Sequence, residues 1–280
     1  MQLSCGYHSL DLSRPHVMAI LNITPDSFSD GGQYLANGKP DIDHILRIAE
    51  NYLKQGASIL DVGGESTRPG AQSVSVQEEL DRVIPVVEAL VARLDALVSV
   101  DTSRASVIRE SASKGASLIN DVRALTLDGA LNAAAETDLP LCLMHMQGQP
   151  QTMQQNPEYR NVFDDVSDFL KERVGAANQA GIENHRIVLD PGFGFGKSLA
   201  HNLALLRQLP ELADLGFPIL VGLSRKSILE KITGRPVDQR LAGSLAFALL
   251  AAQSGASIIR VHDVAETVDV LKVLNAVSSF

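Results

Sequence analysis

Three times along this chain of 280 residues the same phrase recurs: Gly56-Ala57-Ser58-Ile59-Leu60, Gly115-Ala116-Ser117-Leu118-Ile119 and Gly255-Ala256-Ser257-Ile258-Ile259. Each copy follows a helical pattern and opens a short apolar run. A glycine there suits a left-handed residue just past a helix end, and the run behind it suits a buried strand. The phrase reads as the joint of a repeated helix-to-strand unit, and few folds are built from such units.

Other apolar runs extend the series. Strands are predicted near 17–21, 58–62, 97–100, 117–120, 141–144, 186–189, 219–222 and 258–261. Between them, Ile42, Ile45, Leu46, Ala49 and Leu53 share one helical face. Val76, Leu80, Val83, Val87, Leu90 and Leu94 share another, behind a capping-box signature of Ser75 and Glu78. Val264, Val268, Leu271, Leu274 and Val277 form a last amphipathic helix. Strands apolar on both faces imply a parallel sheet covered by helices. About eight such pairs point to an α/β fold, a (β/α)8 TIM barrel. The strand count alone leaves an open doubly wound sheet as the alternative. Alternation in residues 2–5 and 9–12 predicts a short N-terminal hairpin closing the barrel bottom. With 45% hydrophobic residues, no linker and no charge run, residues 1–280 read as one domain.

Composition narrows the function. A formal charge of −9 argues against a nucleic-acid binder or a membrane-surface protein. No apolar stretch reaches the roughly 18 residues of a membrane span, and the polar start, Met1 to Ser13, lacks a signal pattern, so a cytoplasmic location is expected. Cys5 and Cys142 make no disulfide framework, and Cys142 reads as a small buried hydrophobe.

In such a barrel, chemistry sits at the C-terminal ends of the strands. Asn22, Asp61, Asp101, Asn120, Asp121, His145, Asp190, Ser224, Lys226, Arg260 and His262 all fall at or just beyond predicted strand ends. The long polar segments 22–39, 63–75 and 145–162 follow strands on that same face, where long loops are usually functional. Asp101, Asn120, Asp190 and Lys226 would offer a polar heterocycle hydrogen bonds of mixed sense. Thr67, Arg68, Arg260 and His262 would bind an anion, Arg offering a planar fork to phosphate oxygens. Neutral Asn22 would suit a Mg²⁺ whose charge is balanced by substrate phosphates.

Several motifs invite other readings. Gly196-Lys197-Ser198 looks like the tail of a phosphate-cradling loop, but the pattern fails at its first glycine, which is Pro191. The run 192–196 reads better as a loop bringing Phe195 and backbone close to a flat ligand. His8, His16, His44, His185 and His201 show no metal-ligand spacing and read as surface or capping residues. His145 reads as a support behind the site. Lys226 has the chemistry of a Schiff-base lysine, yet among so many anion donors it reads as a binding lysine.

The segments NITPDSFSDGG (22–32) and GGESTRPG (63–70) resemble the two signatures of the dihydropteroate synthases. The blocks SVDTS (99–103), INDV (119–122), LMHMQGQP (143–150), DPGFGFGK (190–197), GLSRKS (222–227) and RVHDV (260–264) follow in the family's order, so the resemblance spans nearly the whole chain. It implies a condensation of 6-hydroxymethyl-7,8-dihydropterin diphosphate with 4-aminobenzoate, yielding dihydropteroate and pyrophosphate for folate biosynthesis. Asp101, Asn120, Asp190 and Lys226 would then hold the pterin, with Met144, Gly222 and Phe195 lining its slot. Asp101, Asp190 and Lys226 are the expected catalytic groups. Thr67, Arg68, Arg260 and His262 would hold the diphosphate and Asn22 the Mg²⁺, while Ser224, Phe28 and Pro69 would shape the 4-aminobenzoate site. The resemblance also implies a homodimer, a sulfonamide target, and loss of pyrophosphate before amine attack. Two other readings are a pterin-binding methyltransferase, which would not need segments 22–32 and 63–70, and a catalytically silent relative.

Overall fold

The computed structural model describes residues 1–25, 34–36, 38–67, 70–71, 73–150 and 152–278. The chain opens with an antiparallel hairpin, β1 (Gln2–Cys5) and β2 (His8–Asp11), and enters the main sheet at β3 (His16–Asn22). A two-residue pair, β4 (Leu35–Ala36) with β5 (Lys39–Pro40), leads to α1 (Ile42–Gln55). Then come β6 (Ile59–Gly63), α2 (Val76–Leu94), β7 (Val98–Asp101), α3 (Ala105–Ser113), β8 (Leu118–Asp121), α4 (Ala130–Ala135), β9 (Leu141–Met144) and α5 (Val162–Gln179). The chain closes with β10 (Ile187–Asp190), α6 (Leu199–Arg207), α7 (Leu209–Ala213), β11 (Ile219–Val221), α8 (Ser227–Thr233), α9 (Leu241–Gln253), β12 (Ala256–Val261) and α10 (Val264–Ser278). Strands β3 and β6 to β12 pair in parallel and close into an eight-stranded barrel, which removes the open-sheet alternative.

The repeated phrase does what its glycine requires. Gly56, Gly115 and Gly255 have φ of 104°, 91° and 96°. Gly56 caps α1, its N–H reaching the carbonyls of Leu53 and Tyr52. The tight fit adds a second reason for glycine: a Cβ on Gly115 would lie 3.0 Å from Val91, and one on Gly255 3.0 Å from Ala213. The capping box of α2 forms in both directions, Ser75 N–H to Glu78 Oε2 at 2.8 Å and Glu78 N–H to Ser75 Oγ at 3.2 Å. The helical faces of α2 and α10 depart from expectation at their ends, where Val76 and Val277 are exposed. Among the described residues, no helix is long and apolar enough to cross a membrane.

The hairpin plugs the barrel bottom. Leu3, Cys5 and Leu10 pack against Met18, Ile59, Leu97, Leu118, Cys142, Val188, Leu220 and Ile258, one inward residue from each barrel strand or its lead-in. Burial pushes the Cys142 thiol well above its usual range, the behaviour of a small hydrophobe rather than a nucleophile. This layer also sets the parity of everything above it. Side chains two residues apart on a strand share a face. Stepping by two from the plug therefore points Asp61, Ser99, Asn120, Met144, Asp190, Gly222 and Arg260 inward. Another step brings in Asn22, Gly63, Asp101 and His262. The intervening residues, such as Val62, Val100, Ile119, Leu143 and Leu189, face the helices and form the larger core.

Candidate active site

At the C-terminal end of the strands lies a cavity of about 420 Å³. Its lining includes Asn22, Thr67, Asp101, Phe195, Gly222, Ser224, Lys226, Arg260 and His262, all named from sequence. Asn120, Met144 and Asp190 are buried at the ends of β8, β9 and β10, outside its lining. Phe28, Arg68 and Pro69 fall outside the described residues.

Carboxylates and two cations set the electrostatics of the floor. Arg260 donates from Nε to Asp61 Oδ2 at 2.6 Å and from Nη2 to Asp101 Oδ2 at 3.1 Å. Burial opposes its charge, but Asp61 and Asp101 outweigh that and hold the guanidinium above its ordinary value. Burial also pushes the Asp101 carboxyl up to about 7, against the pull of Arg260 and with the push of Asp61. The Asp190 carboxyl is likewise raised by burial, while Lys226 draws it back. Lys226 is lowered to about 8 by burial, with Asp190 resisting. Its Nζ donates to the Phe193 carbonyl and lies 4.6 Å from the centre of the Phe195 ring. The Lys226 ammonium thus lies beside an aromatic wall.

The loop after β10 is shaped by the lysine of its Gly196-Lys197-Ser198 segment. Lys197 is buried, and its Nζ bonds the Gly192 and Phe195 carbonyls at 2.9 and 3.0 Å and His145 Nδ1 at 2.9 Å. Burial holds the Lys197 ammonium well below its usual range and, with the Lys197 charge, lowers His145 to about 3. The His145 imidazole is thus held neutral, and its backbone N–H donates to the Asp190 carbonyl at 3.0 Å. Gly192 and Gly196 allow this folding: a Cβ on either would fall 1.8 Å from the His145 oxygen or 2.4 Å from the Gln147 oxygen. His201 closes a capping box with Ser198, as its sequence position suggested.

The segment 63–75 is rooted in an ion-pair network. Glu65 meets Arg104 at 3.5 Å and Arg123 at 3.1 Å. Arg104 also reaches buried Glu79 at 2.8 Å and the Val74 carbonyl, and Thr102 donates to Glu79 at 2.5 Å. This holds both ends of the loop that carries Thr67 over the cavity. On the opposite wall, Ser224 Oγ and His262 Nδ1 are 3.1 Å apart, and Arg225 pairs with Asp263 through both carboxylate oxygens.

Sequence reasoning passed over several residues. Asp61 stands at a strand end in the sequence with no evident role, yet inward parity from Ile59 marks it as clearly as Asp101. Met153, Gln154, Val237 and Arg240 also line the cavity. They reach it from irregular loops and a helix start, where no periodicity points a side chain at the site.

Among the described residues no three His, Cys, Asp or Glu side chains group as ligands. Asn22 ends β3 with Oδ1 facing Gly63, where an added Cβ would sit 3.3 Å from it. One neutral oxygen beside an anion site fits a Mg²⁺ held mainly by phosphate oxygens and water, and not a protein-only cage.

Comparison with known proteins finds relatives along the whole chain. Residues 18–262 match the family described as pterin binding enzyme. The chain is 54% identical over 279 residues to the dihydropteroate synthase of Escherichia coli K12, covering 100% of this chain and 97% of that one. A crystal structure of the Yersinia pestis dihydropteroate synthase with a sulfonamide drug complex superposes with a TM-score of 0.96 at 54% identity, with full coverage of both chains. The Xanthomonas albilineans dihydropteroate synthase with 4-aminobenzoic acid gives 0.91 at 50% identity, over 100% of this chain and 98% of that one.

Proposed function

The chain belongs to the pterin-binding enzymes and, within them, to the dihydropteroate synthases, and on that premise we propose how its barrel mouth divides the work. The reaction joins the methylene carbon of 6-hydroxymethyl-7,8-dihydropterin diphosphate to the amine of 4-aminobenzoate, breaking the carbon–oxygen bond to pyrophosphate. Asp101, Asp190 and Asn120 receive the donor-rich edge of the pterin, with Lys226 beside them and Phe195, Met144 and Gly222 as walls. Thr67, Arg260 and His262 hold the diphosphate, with Arg68 expected to join them. Ser224 reads the 4-aminobenzoate, together with Phe28 and Pro69. The observation that carries this reading is one cavity lined by the acceptor Asp101 and the cations Lys226 and Arg260, with the buried Asp190 carboxyl interacting with Lys226 from behind the lining.

An aniline-type amine is a weak nucleophile, so the barrier is lowered at the leaving group. Arg260, His262 and Thr67 stabilise charge building on the departing diphosphate. Asn22 is the residue that would hold a Mg²⁺, which supplies further neutralisation of that charge when bound. The carbon left electron-poor shares its positive charge with the pterin ring, and the carboxylates Asp101 and Asp190 favour that state. The amine is already neutral at pH 7, so no strong base acts before attack, and its proton is lost afterwards. The homodimer belongs to the same proposal, supported by the exposed Leu250, Val273 and Val277 on the contacting helices α9 and α10.

The test is direct. The purified chain is mixed with both substrates and Mg²⁺, and dihydropteroate and pyrophosphate are measured together. Equal amounts of the two are expected, and appearance of neither refutes the proposal.

A further inference from the structure

We propose that Asp61 is a positioning residue for pterin recognition, acting through Asn120 and Arg260. Asp61 ends no loop and touches no open surface: it is fully buried inside the barrel on β6. It accepts three hydrogen bonds, from Ser99 Oγ at 2.5 Å, Asn120 Nδ2 at 3.2 Å and Arg260 Nε at 2.6 Å. The donors come from β7, β8 and β12, so the contacts reach across the barrel interior, not along one pair of strands.

Two consequences follow from the chemistry of the carboxylate. A carboxylate only accepts, so the Asn120 amide must turn its nitrogen to Asp61. One N–H is thereby committed, and Oδ1 with the second N–H is presented in a fixed order. The Arg260 fork is anchored at Nε in the same way, which fixes the plane of the guanidinium beside Asp101. Without Asp61 the amide loses the partner that orients it, and the guanidinium keeps only its bond to Asp101, which no longer fixes its plane. A purely structural role accounts less well for this carboxylate, because a buried ion pair is a poor source of stability compared with apolar packing of similar volume. The neighbouring inward residue in the plug layer, Ile59, shows that this strand accommodates an apolar side chain facing the interior.

This inference rests on the assignment of the cavity to a pterin diphosphate. Its test compares Asp61→Ala and Asp61→Asn with the unaltered chain, in steady-state kinetics and in calorimetry with the pterin diphosphate alone. Calorimetry keeps the two claims apart: absent turnover would refute the proposed function, while the affinity ratio between variants still judges Asp61. For Asp61→Ala, affinity and KM for the pterin diphosphate worsen by about tenfold to a hundredfold, the scale of one charged hydrogen bond. The KM for 4-aminobenzoate moves less than about twofold, since the groups turned by Asp61 face the pterin (Asn120) and its diphosphate (Arg260). Asp61→Asn keeps an oxygen for Arg260 and Asn120 by presenting its nitrogen to Ser99, so it shows the same selectivity at roughly threefold or more. On an Asn120→Ala background the added loss from Asp61→Ala is smaller than on the unaltered chain. Unchanged pterin affinity in a folded variant, equal worsening of both KM values, or an undiminished loss on the Asn120→Ala background each overturns the proposal. If Asp61→Ala does not fold, Asp61→Asn decides by the same criteria.

Discussion

Gly192 and Gly234 share a φ of 69° and differ in what surrounds them, which allows a backbone effect to be separated from a packing effect. Around Gly234, at the end of α8, an added Cβ meets nothing within 4 Å. At Gly192 the same Cβ lies 1.8 Å from the His145 carbonyl oxygen, against the 3.0 Å below which real contacts essentially never fall. One backbone must therefore move from another by more than an ångström. Gly234→Ala carries only the cost of a left-handed L-residue, about 1–2 kcal/mol. Gly192→Ala carries that cost plus overpacking, typically about 1–3 kcal/mol and more where backbone meets backbone. At about 2–4 °C per kcal/mol for a chain of this size, the extra fall in Tm is roughly 2–12 °C. Urea unfolding and thermal melts of the two variants, side by side, measure the difference. Calorimetry adds a functional readout, because the displaced loop carries Phe195, the Phe193 carbonyl held by Lys226, and the Gly192 N–H that donates to Asp190 at 2.7 Å. Pterin affinity falls in Gly192→Ala and holds in Gly234→Ala. Equal stability losses in the two variants would refute the close approach of this loop to the end of β9.

Three other outcomes are expected. In Asp190→Asn the amide oxygen stays with the Gly192 N–H, which turns its NH₂ toward ligand donors; pterin binding weakens by about 1.5–3 kcal/mol, and unchanged affinity by calorimetry would remove Asp190 from the pterin site. Asp101 is charged above about 7 and Lys226 below about 8. kcat/KM for the pterin diphosphate therefore peaks between those values, falling on the acid side as Asp101 protonates and on the alkaline side as Lys226 loses its proton. A profile flat from about pH 6 to pH 9 contradicts both shifts. Arg104→Ala leaves Glu79 buried without its cation; it costs about 3–5 kcal/mol in urea unfolding, and a loss below about 1 kcal/mol would make the network under segment 63–75 ornamental.

Much of the architecture was legible because it rests on local rules. The glycine at each helix-to-strand joint needs a positive φ, and strand burial on both faces needs continuous apolar runs. Both are properties of short segments, so β9 was located to the residue and the other barrel strands to within one or two. The N-terminal hairpin was legible for the same reason, from simple alternation. The site was legible in outline because barrel chemistry gathers at one end of the strands, and because the motif blocks 22–32 and 63–70 resembled a known family.

What the sequence by itself determined, then, is the repeating unit, the succession of strands and helices along the chain, and the strand ends at which Asp101, Asn120, Asp190, Lys226 and Arg260 lie. Only the tertiary structure decided the partners of those residues. Asp61 and Arg260 are 199 positions apart and meet because the barrel closes. Lys197 resembles a phosphate-loop lysine in the chain and becomes a buried strut only where His145 and the Gly192 and Phe195 carbonyls converge on it. The values near 7 and 8 for Asp101 and Lys226 belong to the same class. Strand periodicity is carried by neighbours in sequence, whereas desolvation and charge pairing are set by neighbours in space, which exist only after the eighth strand has met the first.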